Sequence, residues 1–448
     1  MFSYKKNPIA YILFLTCIIR LILFTISYSQ GAHSFFLFDS YRYLGLGENL
    51  FESGLYAEKI TDPLFESIFI TPGAPVIFYL LKSIGGIPAI IFFQIICQTI
   101  TCFLLMKIIP LIFPNCQGKV IRNSGIAFAI DLASIVLGNV IMTETIFTTI
   151  LFAFIYFFVK SLKDNSLKFL IIASILLGVS SLFRPIILYF PILLLAASFF
   201  IFRPTDRGFL KRIFALLIPF YMIIGLWMFT NYRIHHHFFF SYQGEFNMGY
   251  YQAAHIYSEK YDINLIEARE KFHYEVQKSF DDSEYNEIDQ VIFYSAFGKK
   301  AREVIKNNPF YFFKNMATAN FYLFFRPVRD YLKITLGSDE LFHTRSKNHS
   351  IGVQFLIIWQ MLINILVFIL LPFGFLHLYK NNKGLFYFFL SFIIYFMLVC
   401  SGPEIDARFR VPMIPVLLIL STSGVLFLME KFKHKNAKVA KDNSTFAS

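Results

Sequence analysis

Apolar runs of membrane-spanning length recur along the whole chain, and short polar or basic segments separate them. The runs lie near residues 9–30, 87–113, 125–142, 145–160, 168–183, 185–202, 212–230, 351–378, 384–400 and 411–429. Crossing the hydrocarbon core takes about 20 predominantly apolar residues in a helix. Within lipid a backbone must also satisfy its own hydrogen bonds. The pattern therefore predicts an all-α polytopic membrane protein with about ten transmembrane helices, some of these runs being shorter than a full span. Composition agrees: of 448 residues, 56% are hydrophobic and only 16% charged, a balance outside the soluble range. The 58 Phe residues suit lipid-facing surfaces and acyl-chain grooves, although genome-wide drift toward Phe, Ile, Lys and Asn accounts for them equally well.

The charge distribution gives orientation. The formal net charge is +12, and short cytosolic loops carry the Lys/Arg excess. Ten spans from an inside N-terminus put Lys5/Lys6, Lys119/Arg122, Lys160/Lys163/Lys168, Arg203/Arg207/Lys211/Arg212, Lys380/Lys383 and the Lys-rich tail all inside. Both termini are then cytosolic. Asp39, Glu144, Arg184, the segment 231–350 and Glu404 to Arg410 fall on the exterior face. No aromatic-interleaved basic patch points to nucleic acid. The five cysteines lie in or beside apolar runs without metal-like spacing, which argues against a disulfide framework or zinc site. Lys5 and Lys6 precede a run too long for a signal-peptide core, which reads as a retained anchor.

Four regions follow. Residues 1–230 form an N-terminal transmembrane core that carries a first exterior loop at 31–86, with short surface helices and turn punctuation at Thr71-Pro72-Gly73-Ala74-Pro75. Residues 231–350 form a large exterior loop, mostly helical, with apolar positions at helical spacing over Tyr285–Asn307 and an aromatic helix over Phe310–Phe325. Residues 351–430 hold the last spans. Residues 431–448 form a basic cytosolic tail, expected to be disordered.

Ionisable groups at the edge of the hydrocarbon region are expensive to keep and collect at functional sites. Nucleotide-activated sugars are cytosolic, so a transferase with an exterior site needs a donor already carried in the membrane, such as a sugar on a polyprenyl phosphate. Transfer then needs a carboxylate to take the acceptor proton, cations for the leaving phosphate and an apolar groove for the prenyl chain. Asp39 and Glu144 are the candidate catalytic carboxylates. Arg184, Arg233, Arg326, Arg408 and Arg410 are candidates for phosphate, whose oxygens a guanidinium fork matches. Arg408 and Arg410 come first among them. Tyr43, Tyr56 and Arg233 are candidate substrate contacts.

The segment FDSYRYLGLGENLFESGLY, followed by ITPGAPVIFYLL, resembles the first exterior loop of the C-type glycosyltransferases, the polyprenyl-phosphate-sugar enzymes related to protein O-mannosyltransferases and the lipid A aminoarabinose transferase. Asp39, Tyr43, Asn49, Leu50, Gly54 and Tyr56 match its D-x-x-x-Y and N-L-x-x-x-G-x-Y patterns. MTETIFTTILF (142–152), LFRPIILYFPILLLA (182–196), WMFTNYRIHHHFFFS (227–241) and DARFRVPMIPVLLILSTSGV (406–425) resemble later segments of the family in the same order. Two positions depart: Ile70-Thr71-Pro72-Gly73-Ala74-Pro75 lacks the Arg and Tyr of R-x-P-x-Y-P, and Thr230 stands where Arg is common. The resemblance implies a membrane glycosyltransferase working by a single inverting displacement. Asp39 is then the general base, Glu144 orients the acceptor or assists the base, and Arg408 and Arg410 hold the phosphate. Its implied partners are a polyprenyl-phosphate sugar donor, membrane lipid and a lipid-linked, glycan or protein acceptor, in a bacterial inner membrane.

Plainer roles compete. Asp39 can serve as an N-cap for a helix over 40–52, Glu144 can favour a helix dipole, and Arg184 can snorkel. Arg20, deep in the first span, calls for an internal partner or the headgroup region. His235-His236-His237 reads as a polar loop, since consecutive residues do not converge on one metal. No cofactor is required; a divalent cation held by Glu144, Glu404 and Asp406 is a minor option. The rival functions are a lipid or polysaccharide transporter or flippase, and a non-catalytic subunit of an envelope-glycan assembly.

Overall fold

A computed structural model describes residues 8–58, 65–202, 204–205, 207–280, 289–336, 351–403 and 405–445. Among the described residues the chain is all-α apart from a two-residue antiparallel ladder. Helix α1 (Pro8–Gln30) leads through a 3₁₀ turn (Ala32–Phe35) to α2 (Phe38–Ser53), then to β1 (Ala57–Glu58) and β2 (Phe65–Glu66). Next come α3 (Gly73–Ile112), α4 (Gly118–Ala129), α5 (Leu132–Leu137), α6 (Glu144–Asp164), α7 (Leu167–Ser181), α8 (Phe190–Ile201) and α9 (Phe209–His235).

A series of shorter helices follows. It contains α10 (Gln243–Asn247), a π-helical turn (Met248–Ala253), α11 (Ala254–Tyr261), α12 (Leu265–Gln277), α13 (Gln290–Asn307), α14 (Pro309–Phe325) and α15 (Arg329–Thr335). The chain then forms α16 (Ile351–Asn381), α17 (Lys383–Val399), a 3₁₀ turn (Ala407–Met413) and α18 (Ile414–Thr445). Among the described residues six helical stretches are long and apolar enough to cross a membrane, and three shorter apolar helices accompany them. This is an integral membrane protein.

Three stretches differ from the sequence expectation. The run at 125–142 is not one helix: α4 ends at Ala129 and α5 starts at Leu132. Asp131 causes the break by capping α5, its Oδ2 accepting from the Ser134 amide at 2.8 Å. Gln360 completes the junction, donating to Asp131 Oδ1 at 3.0 Å and accepting from the Leu132 amide at 2.7 Å. A broken helix at membrane depth survives only when such freed groups find partners.

The second run begins earlier than expected, because a helical segment from Gly73 joins the span across a kink at Gly85–Gly86. The basic tail is helical to Thr445 rather than disordered, since no Gly or Pro interrupts 431–445 and Lys and Ala favour helix. Within the bundle, α16 and α18 touch at Gly374 and Gly424. A Cβ on Gly374 would meet the Leu420 carbonyl at 2.0 Å, so small residues here permit backbone contact between membrane helices. Asn348-His349-Ser350, a sequence match for a glycosylation acceptor, lies outside the described residues.

Candidate active site

Four segments from separate parts of the chain meet at one end of the bundle. The start of α2 is fixed by the extended stretch before α6: the Phe35 carbonyl accepts from the Ile141 amide at 2.9 Å, and Ser40 Oγ donates to the Ile141 carbonyl at 2.7 Å. Gln94 of α3 holds the same stretch, donating to the Val140 carbonyl at 2.8 Å. These bonds set the first turn of α2, which carries Asp39, beside the first turn of α6, which carries Glu144. The loop after α7 brings Arg184; its Leu182 carbonyl accepts from the Gly73 amide at 2.8 Å, tying that loop to the start of α3. The 3₁₀ turn before α18 brings Arg408.

The result is a linked set of charges. Arg408 Nη1 donates to Asp39 Oδ2 at 2.7 Å, while its Nε lies 4.0 Å from Glu144 Oε1. Arg184 Nη1 lies 2.7 Å from the same Glu144 oxygen. Glu144 is 1% exposed, whereas Asp39 and Arg408 are 28% and 27% exposed. The pair with solvent access is therefore Asp39–Arg408, and Glu144–Arg184 lies behind it. The Arg408 Nε and Arg184 Nη1 groups are both buried and face Glu144 as ion pairs, so the solvent-accessible part of the set is the Arg408–Asp39 contact. The Phe409 ring packs between the two guanidinium groups, 5.2 Å from Arg408 and 5.6 Å from Arg184.

Asp39 is not the cap of α2. The N-cap position is Leu37, without a side-chain capping bond, and Ser40 Oγ accepts from the Leu37 amide at 2.9 Å. The Asp39 carboxylate is left to Arg408. Tyr43, one turn along α2, borders the set: burial raises its pKa, and the Asp39 and Glu144 charges raise it further. It stays a neutral hydroxyl.

The other candidates sit elsewhere in the network. Arg410 is 1% exposed, and its Nη1 donates to the carbonyls of Leu323, Phe324 and Arg326 at the end of α14. Arg326 donates to the Ile405 carbonyl at 2.5 Å, which steadies the strand leading to Arg408. Tyr56 donates to the Ile70 carbonyl at 3.0 Å and meets Trp227 edge-on. Arg233 is exposed in the last turn of α9. His235 ends α9, and His236 terminates it in a left-handed conformation at φ 57°. Of the residues offered for a cation, Glu404 lies outside the described residues, and Asp406 caps the 3₁₀ turn and accepts from the Tyr331 hydroxyl at 2.7 Å.

Three neighbours carry no assigned role in the sequence reading. Arg42 forms a forked pair with Glu58 at 2.6 and 2.9 Å, and Glu58, 6% exposed, also accepts from Ser67 Oγ at 2.7 Å. Arg42 is three residues after Asp39 on a helix, a spacing that places both on one face. Glu58 was not legible, because its approach depends on the β1–β2 hairpin. Tyr331 reaches the site from α15; burial raises its pKa, with Asp406 adding to the effect against Arg408.

Residues 72–230 match the family described as dolichyl-phosphate-mannose-protein mannosyltransferase. No curated protein matches by sequence. In fold, the chain is similar to the apo oligosaccharyltransferase of Archaeoglobus fulgidus: TM-score 0.55 at 13% identity, covering 97% of this chain and 52% of the other. The same archaeal protein in complex with an inhibitory peptide and a dolichol-phosphate gives 0.52 at 14% identity, covering 97% and 52%. ArnT from Cupriavidus metallidurans bound to undecaprenyl phosphate overlaps more weakly, at 0.42 and 12% identity over 92% of this chain and 77% of the other. This chain thus spans about half the length of the archaeal structures. Its resemblance to the C-type glycosyltransferases holds at the level of a matched segment and of the fold.

Proposed function

We propose that this protein is a membrane glycosyltransferase that moves a sugar from a polyprenyl-phosphate donor to an acceptor on the exterior face, with inversion. The observation that carries the reading is the Asp39–Arg408–Glu144–Arg184 set, partly open to solvent, at the end of an apolar bundle. The match of 72–230 to a dolichyl-phosphate-mannose transferase family supports the same donor class, as does the dolichol-phosphate named for one structure of like fold. The exterior placement follows from the Lys/Arg distribution.

The donor phosphate binds the solvent-facing Arg408 guanidinium, with Arg184 behind it adding positive charge, and draws Arg408 from Asp39. Asp39 then accepts the proton of an acceptor hydroxyl or amine. That oxygen or nitrogen bonds to the anomeric carbon as the bond from that carbon to the phosphate oxygen breaks. The electron pair leaves with the polyprenyl phosphate, whose charge the guanidinium groups balance. One displacement inverts the configuration; retention needs a covalent intermediate and a second displacement. Buried Glu144 fixes the spacing of the two arginines. The residues require no cofactor for this chemistry.

The test is transfer by the purified protein from a panel of radiolabelled polyprenyl-phosphate sugars to membrane extract, with the anomeric configuration of the product read by NMR. A glycosylated product of inverted configuration is expected. A retained configuration overturns the single displacement. Absence of transfer from every donor, with donor lipid crossing vesicles instead, favours the transporter reading. Donor binding without turnover favours a non-catalytic subunit.

A further inference from the structure

The segment from α10 to α15 holds a cavity of about 500 Å³ that shares no lining residue with the Asp39 set. Its floor is made by the buried rings of Phe272 and Phe297, nearly perpendicular with centroids 4.9 Å apart. Tyr250 forms a wall. Arg269 lies 4.1 Å over the Tyr250 ring, and its Nε donates to the Tyr250 carbonyl at 3.3 Å. Glu270, Tyr274 and Gln277 also line it, with Tyr274 54% exposed.

The backbone around the cavity is specialised. Tyr250 belongs to the π-helical turn Met248–Ala253, a local form frequent at functional sites because it re-aims side chains. Gly249 permits the floor rings to lie against that turn, since a Cβ there would stand 2.1 Å from Phe297 Cε1 and 2.8 Å from Phe272 Cε1. The same turn carries Gln252, whose Nε2 donates to the Ser401 carbonyl at 2.8 Å.

We infer that this cavity binds a saccharide unit and makes the acceptor a glycan; the inference rests on the transferase reading. A pyranose has a C–H face that lies on aromatic rings and a rim of hydroxyls that both donate and accept. Tyr274 supplies the exposed ring, and Tyr250, itself packed against Phe246 and Arg269, borders it. Arg269, Glu270 and Gln277 supply planar donors and acceptors around them. The volume falls in the range of small-ligand sites, roughly 300–1,000 Å³.

The experiment is saturation-transfer NMR on the full chain in lipid nanodiscs, with chitobiose and maltose as probes and a neutral hexapeptide as control. At least one disaccharide is expected to bind saturably. Tyr274→Ala, which trims an exposed ring and leaves the core intact, should weaken binding by about tenfold. Gln277→Ala should weaken it less, and Asp39→Asn should leave it unchanged. The inference is overturned if neither disaccharide binds, if binding survives both cavity variants, or if only the peptide binds. Saccharide binding without any sugar transfer contradicts the transferase reading while the cavity stands. Transfer without saccharide binding contradicts the cavity while the transferase reading stands.

Discussion

Arg20 and Arg408 are both arginines drawn into the protein, and their surroundings differ in kind. Arg20 is fully buried in α1, where its guanidinium is spent on neutral groups: Gln98, the Thr16 carbonyl at 3.0 Å, and the Ala129 and Phe128 carbonyls at 3.1 and 3.4 Å. Both lie where α4 ends, and although the Phe128 carbonyl also accepts from the Asp131 amide at 3.3 Å, Arg20 supplies the donor to Ala129 and so helps close the break in the bundle. No carboxylate pairs with it among the described residues. Arg408 retains 27% exposure, faces Asp39 and Glu144, and keeps an Nε without a hydrogen-bond partner. An arginine saturated by backbone carbonyls holds a fold together. One shared between two carboxylates at a solvent-accessible edge can exchange partners, which is what binding and releasing a phosphate requires.

The contrast can be broken at either end. Arg408→Gln should lower transfer by about 10²–10³, because a donor aimed at the developing phosphate charge is lost, while thermal unfolding in detergent changes little. A variant with native activity would place Arg408 among the scaffold arginines. Arg20→Met should do the reverse. It removes the donor to Gln98 Oε1 and to the Ala129 carbonyl, both buried, and stability should fall by about 3 kcal/mol. The folded fraction should keep its transfer rate, and loss of rate without loss of stability would sink the assignment of Arg20 to structure.

A finer division concerns Glu58. Glu58→Gln removes the charge opposite Arg42 and frees that guanidinium toward Asp39. Transfer should fall by about tenfold, mostly in kcat, since no donor contact is touched. A change confined to KM would instead assign Arg42 and Glu58 to substrate binding.

Much of this arrangement was legible in the sequence. Span-length apolar runs and the basic loops between them put Asp39, Glu144, Arg184 and Arg408 on one face before any contact was known. The structure joins these four residues although Asp39 and Arg408 are 369 positions apart. The roles of Arg408 and Arg410 could not be separated in that way. They are two residues apart in a 3₁₀ turn of about three residues per turn, so they project to different sides. One reaches the carboxylates, and the other satisfies the end of α14. The break at Asp131 was hidden for another reason. A single capping Asp inside an apolar run looks like an interruption of a span, and its partner Gln360 comes from a helix 229 residues later. The Arg42–Glu58 fork depended on a two-residue ladder with no periodic signal.

The most direct test is sugar transfer by the Asp39→Asn variant, assayed in reconstituted vesicles beside the native protein, with thermal unfolding of both recorded. Asn keeps the size and most hydrogen-bonding capacity of Asp but cannot take the acceptor proton. The predicted result is a loss of transfer by about 10²–10⁴ with the unfolding temperature unchanged and polyprenyl-phosphate binding retained. Native transfer rates in a folded Asp39→Asn protein would contradict the assignment of Asp39 as the base and, with it, of the four-residue set as the reacting centre.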